Sequence, residues 1–211
     1  MPVLRGWIYD RLVAGMTSDW YRVVLQRLPA GARVLDVGIG TGAALVRCAD
    51  LVRDKQLEVV GLDIDPDYLR RCRTEVLRAG LSAQVQPVFN SVYDHRGGPY
   101  DAVYFSASLM LLPDPAAAIA HVATLLGPDG LLFSTQTFHH RRSPLLERFK
   151  PMARHVTTIH FGRVTYEEDF RRAFTDAGVD IVELVTIKST RNSSYRLAVA
   201  RPRDDENRTA A

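Results

Sequence analysis

The sequence predicts an α/β fold: a seven-stranded, mostly parallel sheet with helices on both faces and an antiparallel C-terminal hairpin. Three observations carry that expectation. Apolar, β-branched runs alternate with helix-length segments through most of the chain, a glycine-rich turn separates the first such run from the first following helix, and the last two runs stand too close together for a crossover.

Taken in order, residues 1–28 carry Trp7, Ile8, Leu12, Trp20, Val23, Val24 and Leu25 at roughly helical spacing, which predicts N-terminal lid helices over the sheet. Strands are expected at residues 33–37, 58–62, 84–89, 100–105 and 130–135, with a helix over 43–52 after the glycine turn. Each parallel connection needs a crossover, so the intervening helices must lie on the sheet faces. Residues 180–187 and 195–200 are separated only by 188–194, so they must pair as a hairpin. The domain proper is expected over 29–201. It holds a long insertion at 137–165, and the polar stretch 202–211 reads as a disordered tail.

Composition narrows the function classes. At 211 residues, 46% hydrophobic and 24% charged, the chain suits one soluble domain with one active site. No run approaches the ~20 apolar residues of a membrane-spanning helix. Arg5, Asp10 and Arg11 interrupt the start, which therefore lacks the apolar core of a secretory leader, and a cytoplasmic location is expected. Cys48 and Cys72 fall in helical segments without a C-x-x-C spacing and read as buried free thiols. The net charge of +3 hints at an anionic partner. A nucleic-acid footprint would need that charge gathered on one face.

The chemistry concentrates in Val34-Leu35-Asp36-Val37-Gly38-Ile39-Gly40-Thr41-Gly42, a strand running into a glycine turn ahead of a helix. Glycines let the backbone approach a ligand closely, and a helix start offers unpaired N–H groups. About twenty residues on, a second strand ends in Asp63, placed to accept hydrogen bonds from a ribose. Together these describe an adenosine-containing ligand. Gly38-x-Gly40-x-x-Ala43 also meets the loose dinucleotide fingerprint, so an NAD(P)-dependent oxidoreductase stands as an alternative.

Asp36 two places before Gly38-x-Gly40-x-Gly42 resembles the first motif of the class I S-adenosylmethionine (SAM) dependent methyltransferases. The resemblance continues in Pro99-Tyr100-Asp101-Ala102-Val103, similar to that family's fourth strand, in Leu126-Gly127-Pro128-Asp129-Gly130, similar to the turn before its fifth, and in the closing hairpin. It implies the class I methyltransferase fold, SAM as cofactor, and a cofactor-binding set of Asp36, Gly38, Gly40, Thr41, Gly42, Asp63, Ile64, Asn90, Ser91, Val92, Ser106 and Tyr9. Asp36 suits the cationic α-amino group of SAM and would repel a pyrophosphate. Within the family the N-terminal lid looks most like the small-molecule and lipid methyltransferases of quinone and phospholipid pathways.

Residues 137–165 are where such an enzyme builds its acceptor pocket. His139, His140 and His160 are candidates for a general base, since histidine titrates near neutrality. They also read as packing or surface histidines, and the adjacent pair suits no metal geometry, so no metal is expected. Arg141, Arg142, Arg148, Lys150, Arg154 and Arg163 interleave with Leu145, Leu146, Phe149 and Met152. That pattern suits an anionic amphiphile or peripheral membrane contact, and equally a solvated amphipathic helix. Base methylation of nucleic acid is not expected, because no Asn-Pro-Pro-aromatic motif or zinc knuckle is present. The expected reaction is in-line transfer of a methyl group from SAM to a small-molecule or lipid-like acceptor. A catalytically silent SAM-binding subunit is the second alternative.

Overall fold

The structure is a computed structural model that describes residues 17–139 and 165–203. Helix α1 covers residues 17–27 of the described chain. Trp20, Tyr21, Val24, Leu25 and Leu28 are all buried, a helical repeat that turns one face inward. Strand β1 (Arg33–Val37) leads into the glycine turn, followed by helices α2 (Ala43–Val46) and α3 (Ala49–Asp54) and strand β2 (Glu58–Asp63). Helix α4 (Pro66–Arg78) and strands β3 (Val85–Phe89) and β4 (Tyr100–Ser106) come next. Helix α5 (Pro115–Ala123), strand β5 (Leu126–His139), helix α6 (Glu167–Asp176) and strands β6 (Val179–Ser189) and β7 (Ser193–Pro202) complete the order.

The seven strands form one sheet in the order β3-β2-β1-β4-β5-β7-β6. All pairs from β3 to β5 are parallel, and β7 runs antiparallel to both β5 and β6. After Arg33, β1 is apolar without alternation apart from Asp36, because both faces of a central parallel strand are covered. On one face Val34, Val59, Tyr104 and Phe133 pack with Tyr21, Val24 and Leu25 of α1 and with Leu45, Val52, Leu69 and Val76 of α2, α3 and α4. On the other, Leu35, Val103, Phe105 and Leu132 pack with Ile119 and Val122 of α5 and Phe170 and Phe174 of α6. Pro87 sits in β3, an edge strand, where its missing donor is tolerated.

Caps set the helix starts. The Asp65 side chain accepts from the N–H groups of Asp67 and Tyr68, with Pro66 at the first helical position. Asp114 and Pro115 repeat the device on α5.

Three boundaries differ from the sequence reading. The helix expected over 43–52 is interrupted at Arg47 and Cys48, where the Cys48 N–H bonds the Leu45 carbonyl and its thiol reaches the Ser18 carbonyl of α1. The apolar face survives the break, since Leu45, Cys48 and Val52 are all buried. The turn expected at residues 126–130 lies inside β5. Pairing jumps from Tyr100↔Leu126 to Ala102↔Leu131, so the extra residues form a bulge, not a break. A Cβ on Gly130 would stand 2.8 Å from the Tyr100 carbonyl oxygen, which is why the bulge carries glycine there. The hairpin strands are longer than expected, leaving residues 190–192 as the turn. β7 includes Pro202, and the Arg203 N–H bonds the Gly178 carbonyl, so the sheet takes in two residues that the sequence assigns to the tail.

Gly61, in mid-β2, has Ile39 of the glycine turn pressed on it: an added Cβ would lie 2.3 Å from Ile39 Cδ1. Gly61→Ala should therefore destabilise the fold by about 1–3 kcal/mol through overpacking. Adding Ile39→Ala should return part of the loss, so that denaturant unfolding of the double variant shows a less than additive cost.

Candidate functional site

Strand order reverses between β1 and β4: the chain builds outward from β1 through β2 to β3, then crosses back to place β4 on the other side of β1. In open α/β sheets, ligands bind beyond the carboxyl ends of the strands at such a point. The glycine turn after β1 and the Ser106 end of β4 flank it here.

The turn is rigidly held. Gly38, Gly40 and Gly42 have φ of 81°, 58° and 68°, the left-handed region that only glycine enters without strain. The Leu62 carbonyl accepts from the N–H groups of both Gly38 and Ile39, at 2.8 and 3.0 Å, and the Ile39 carbonyl accepts from Gly42 at 3.1 Å. Asp63 Oδ2 accepts the Gly40 N–H at 2.9 Å, while its Oδ1 accepts the N–H of Asp65 at 2.9 Å. Packing closes the turn from two sides. A Cβ at Gly38 would lie 2.7 Å from Ser108 Cβ, and one at Gly42 2.6 Å from Cys72 Sγ. The Ser108 hydroxyl also donates to the Val37 carbonyl, and Ala107 before it takes a left-handed φ of 57°.

Four N–H groups of the turn thus have partners inside the protein. A pyrophosphate would need those donors free. Asp36 supplies the opposite polarity. It is 1% exposed, accepts the Tyr21 hydroxyl on Oδ2 at 2.7 Å, and leaves Oδ1 buried without a partner among the described residues. Burial raises its carboxyl to about 7. The Tyr21 bond holds it below what burial alone would give, and the charge of Asp63 pushes it up. Two carboxylates beside a donor-poor turn, one with a buried orphan oxygen, fit a ligand with a cationic end and a ribose. That donor set fits SAM.

Ile64, just past Asp63, is 71% exposed, an apolar side chain left open beside the ribose position. Asn90 follows β3, its N–H bonded to the Asp63 carbonyl. Ser91 turns inward on its own loop, its hydroxyl accepting from the Tyr93 N–H, and Val92 is buried in the core. Ser106 ends β4 in register with Thr135. The structure therefore gathers Asp36, Gly38, Gly40, Thr41, Gly42, Asp63, Ile64, Asn90 and Ser106 around the switch point and sends the Val92 side chain elsewhere. Tyr9, His140 and His160 lie outside the described residues, as do the six basic residues of the acceptor segment.

β5 outruns β4. Its last residues, Gln136 to His139, run past the last β4 partner, pair with β7 and stand as a wall beyond the other strand ends. His139 is four residues past the level of Ser106, about 13 Å at the usual strand rise. A parallel bridge from Phe138 to Thr165 and the His139 N–H to the Thr165 carbonyl pin both ends of the segment 140–164 to this wall. Below them Gln136 is 8% exposed. Its Nε2 donates to Thr165 Oγ1 at 3.1 Å, and its Oε1 has no partner among the described residues. Sequence reasoning passed over Gln136, Ser108 and Tyr21. Each is a polar residue inside an apolar stretch or beside a strand end, and that contrast was the available signal. A separate cavity of about 680 Å³ lies by the starts of β2 and β3, lined by Arg33, Glu58, Arg73 and Gln84 among others, at the other end of the strands.

A family profile described as a methyltransferase domain matches residues 9–184. The chain belongs to that methyltransferase family. Among curated relatives, the aklanonic acid methyltransferase DauC of Streptomyces is 31% identical over 173 residues, 79% of this chain and 77% of that protein. The ubiquinone biosynthesis O-methyltransferase of Xanthomonas axonopodis is 39% identical over 108 residues, 50% of this chain. This methyltransferase spans under half the length, 43%, of that ubiquinone-pathway relative. A SAM-dependent methyltransferase from Thiobacillus denitrificans in complex with S-adenosylhomocysteine superposes with a TM-score of 0.63, covering 89% of this chain and 91% of its own at 16% identity. The seven-stranded class I methyltransferase fold is thereby established. No helix among the described residues is long and apolar enough to cross a membrane.

Ionisation of Asp36 has a thermodynamic signature. Its folded-state value lies above the ordinary carboxyl value, so the ligand-free protein binds an extra proton relative to the unfolded chain and loses stability as pH rises toward 7 and past it. Between pH 6 and pH 8 this group alone should cost roughly 1–1.5 kcal/mol. Thermal unfolding of the wild type across that range should show it as a falling midpoint, and Asp36→Asn should flatten the slope.

Proposed function

We propose that this methyltransferase carries the methyl group of SAM to a hydroxyl of a small-molecule acceptor held between the glycine turn and the segment 140–164. The observation that carries the reading is the Asp36 and Asp63 pair beside a turn four of whose N–H groups are already engaged, a site built for a cationic cofactor end. The relatives support the acceptor class: one is an O-methyltransferase of ubiquinone biosynthesis and another a methyltransferase of aklanonic acid.

When bound, SAM supplies a methyl group already activated on a sulfonium, so the protein's part is placement and exclusion of water. Asp36 holds the ammonium, Asp63 the ribose hydroxyls, and the exposed face of Ile64 covers the adenine. Ser106 and the β5 wall border the reacting end. A hydroxyl acceptor must lose a proton as it attacks, and the histidines at residues 139, 140 and 160 supply the base. Of these, only His139 lies among the described residues, on the wall four residues past the level of Ser106. Gln136 Oε1, without a partner among the described residues, is available to a hydroxyl of the acceptor. Its basic and apolar content suits the segment to an anionic amphiphile, in solution or at a membrane surface.

Calorimetric titration with SAM, S-adenosylhomocysteine and NADH, run side by side, tests the cofactor. Saturable binding of the two sulfur ligands alone is expected, and Asp63→Ala should weaken both by about tenfold or more, as for a lost charged hydrogen bond. NADH binding in their place overturns the reading. With a phenolic acceptor in hand, His140→Ala or His160→Ala should lower kcat by about a hundredfold or more while leaving S-adenosylhomocysteine affinity unchanged. Unaltered turnover in both, and in His139→Ala, rules out a histidine base.

A further inference from the structure

Asp36 sits in an unusual charge environment. Among the described residues, the ionisable groups that act on it or on its partner Tyr21 are Asp63 at the end of β2, Tyr104 of β4 and Cys72 of α4. None of them is a cation, and the charge of Asp63 pushes the Asp36 carboxyl up. Tyr21 supplies the favourable contact from α1, and its ring is locked edge-to-face on Tyr104 with centroids 5.0 Å apart. Tyr104 spends its own hydroxyl on Thr135 Oγ1 at 2.8 Å and does not reach the carboxyl. One carboxyl oxygen is thus fixed, and its twin is buried and bare. A buried charge in such surroundings needs a cation or a proton.

We propose that Tyr21 is a positioning residue for the cofactor: it clamps Asp36 Oδ2 from α1, which reserves Oδ1 for the cofactor's α-ammonium and ties α1 to the occupied glycine turn. The inference rests on the SAM reading above. In the ligand-free protein Asp36 carries a proton at acid pH. Arrival of the ammonium replaces it, the O–H bond of the carboxylic acid breaks, and the proton leaves to solvent. Burial, which holds the ligand-free carboxyl near neutrality, makes that exchange measurable. Removing the Tyr21 hydroxyl raises the carboxyl further, so more of the protein must be deprotonated against its preference before the ammonium can seat.

The test uses the full chain and two probes: S-adenosylhomocysteine, and 5′-methylthioadenosine, which lacks the amino-acid arm. Calorimetry in buffers of different ionisation heat counts the protons released on binding. S-adenosylhomocysteine should release close to one proton per site at pH 6 and little at pH 8, and methylthioadenosine none at either. Tyr21→Phe should raise the Kd for S-adenosylhomocysteine about tenfold at pH 7 and move the proton-release midpoint up by about one pH unit, with methylthioadenosine affinity unchanged. Tyr104→Phe, which removes the neighbouring buried hydroxyl without touching Asp36, should leave the midpoint in place. Binding of S-adenosylhomocysteine without proton release, an unmoved midpoint in Tyr21→Phe, or an equal shift in Tyr104→Phe overturns the role of Tyr21 while the cofactor reading stands. Absence of S-adenosylhomocysteine binding to the wild type overturns both.

Discussion

A carboxyl group buried at the end of the central strand makes a demand that few packing arrangements meet. Asp36 is enclosed between two sheet neighbours and helix α1, with Tyr21 satisfying one of its oxygens. An isolated buried carboxylate is expensive enough that the group prefers to hold a proton. Around this point the turn, the second strand and the first described helix are all arranged. α1 must lie across the sheet for Tyr21 to reach, and that same crossing buries Trp20, Val24, Leu25 and Leu28. The core of one sheet face and the polarity of the cofactor site are therefore one packing problem.

The glycine turn answers a second constraint, the close approach of four chain segments. Ile39 lies on Gly61, Ser108 on Gly38 and Cys72 under Gly42, each at a distance that leaves no space for a methyl group. Bonds from the Leu62 carbonyl and the Asp63 carboxylate then engage the turn's own donors. The familiar idea that a glycine-rich turn cradles phosphate fails here for a local reason: the N–H groups that would do it face the protein. What remains for a ligand is negative polarity, supplied by two aspartates and tuned by burial.

The acceptor side is built from the extra length of β5. β7 pairs with β5 well past the last β4 partner, and Thr165 bridges Phe138 and accepts the His139 N–H, so the end of β5 keeps its extended form. His139 and Thr165 thus meet beyond the ends of the parallel strands. A bare Gln136 Oε1 at that junction mirrors the bare Asp36 Oδ1 across the sheet.

Much of this was legible from residue order alone. Alternating runs located all seven strands. Asp36, the three glycines and Asp63 named the cofactor end, because their conformational and charge requirements are local: left-handed φ belongs to glycine, and a carboxylate repels phosphate whatever surrounds it. Other features arise only when distant segments meet. The bulge at residues 127–130 depends on where Tyr100 falls opposite β5, and the length of β5 on the reach of β7. Tyr21 looked like one more aromatic on an apolar helix face, and nothing within its own segment distinguishes it from Trp20. Its pairing with a carboxylate 15 residues away, and the proton which that pairing governs, are consequences of burial, and burial is decided by tertiary packing.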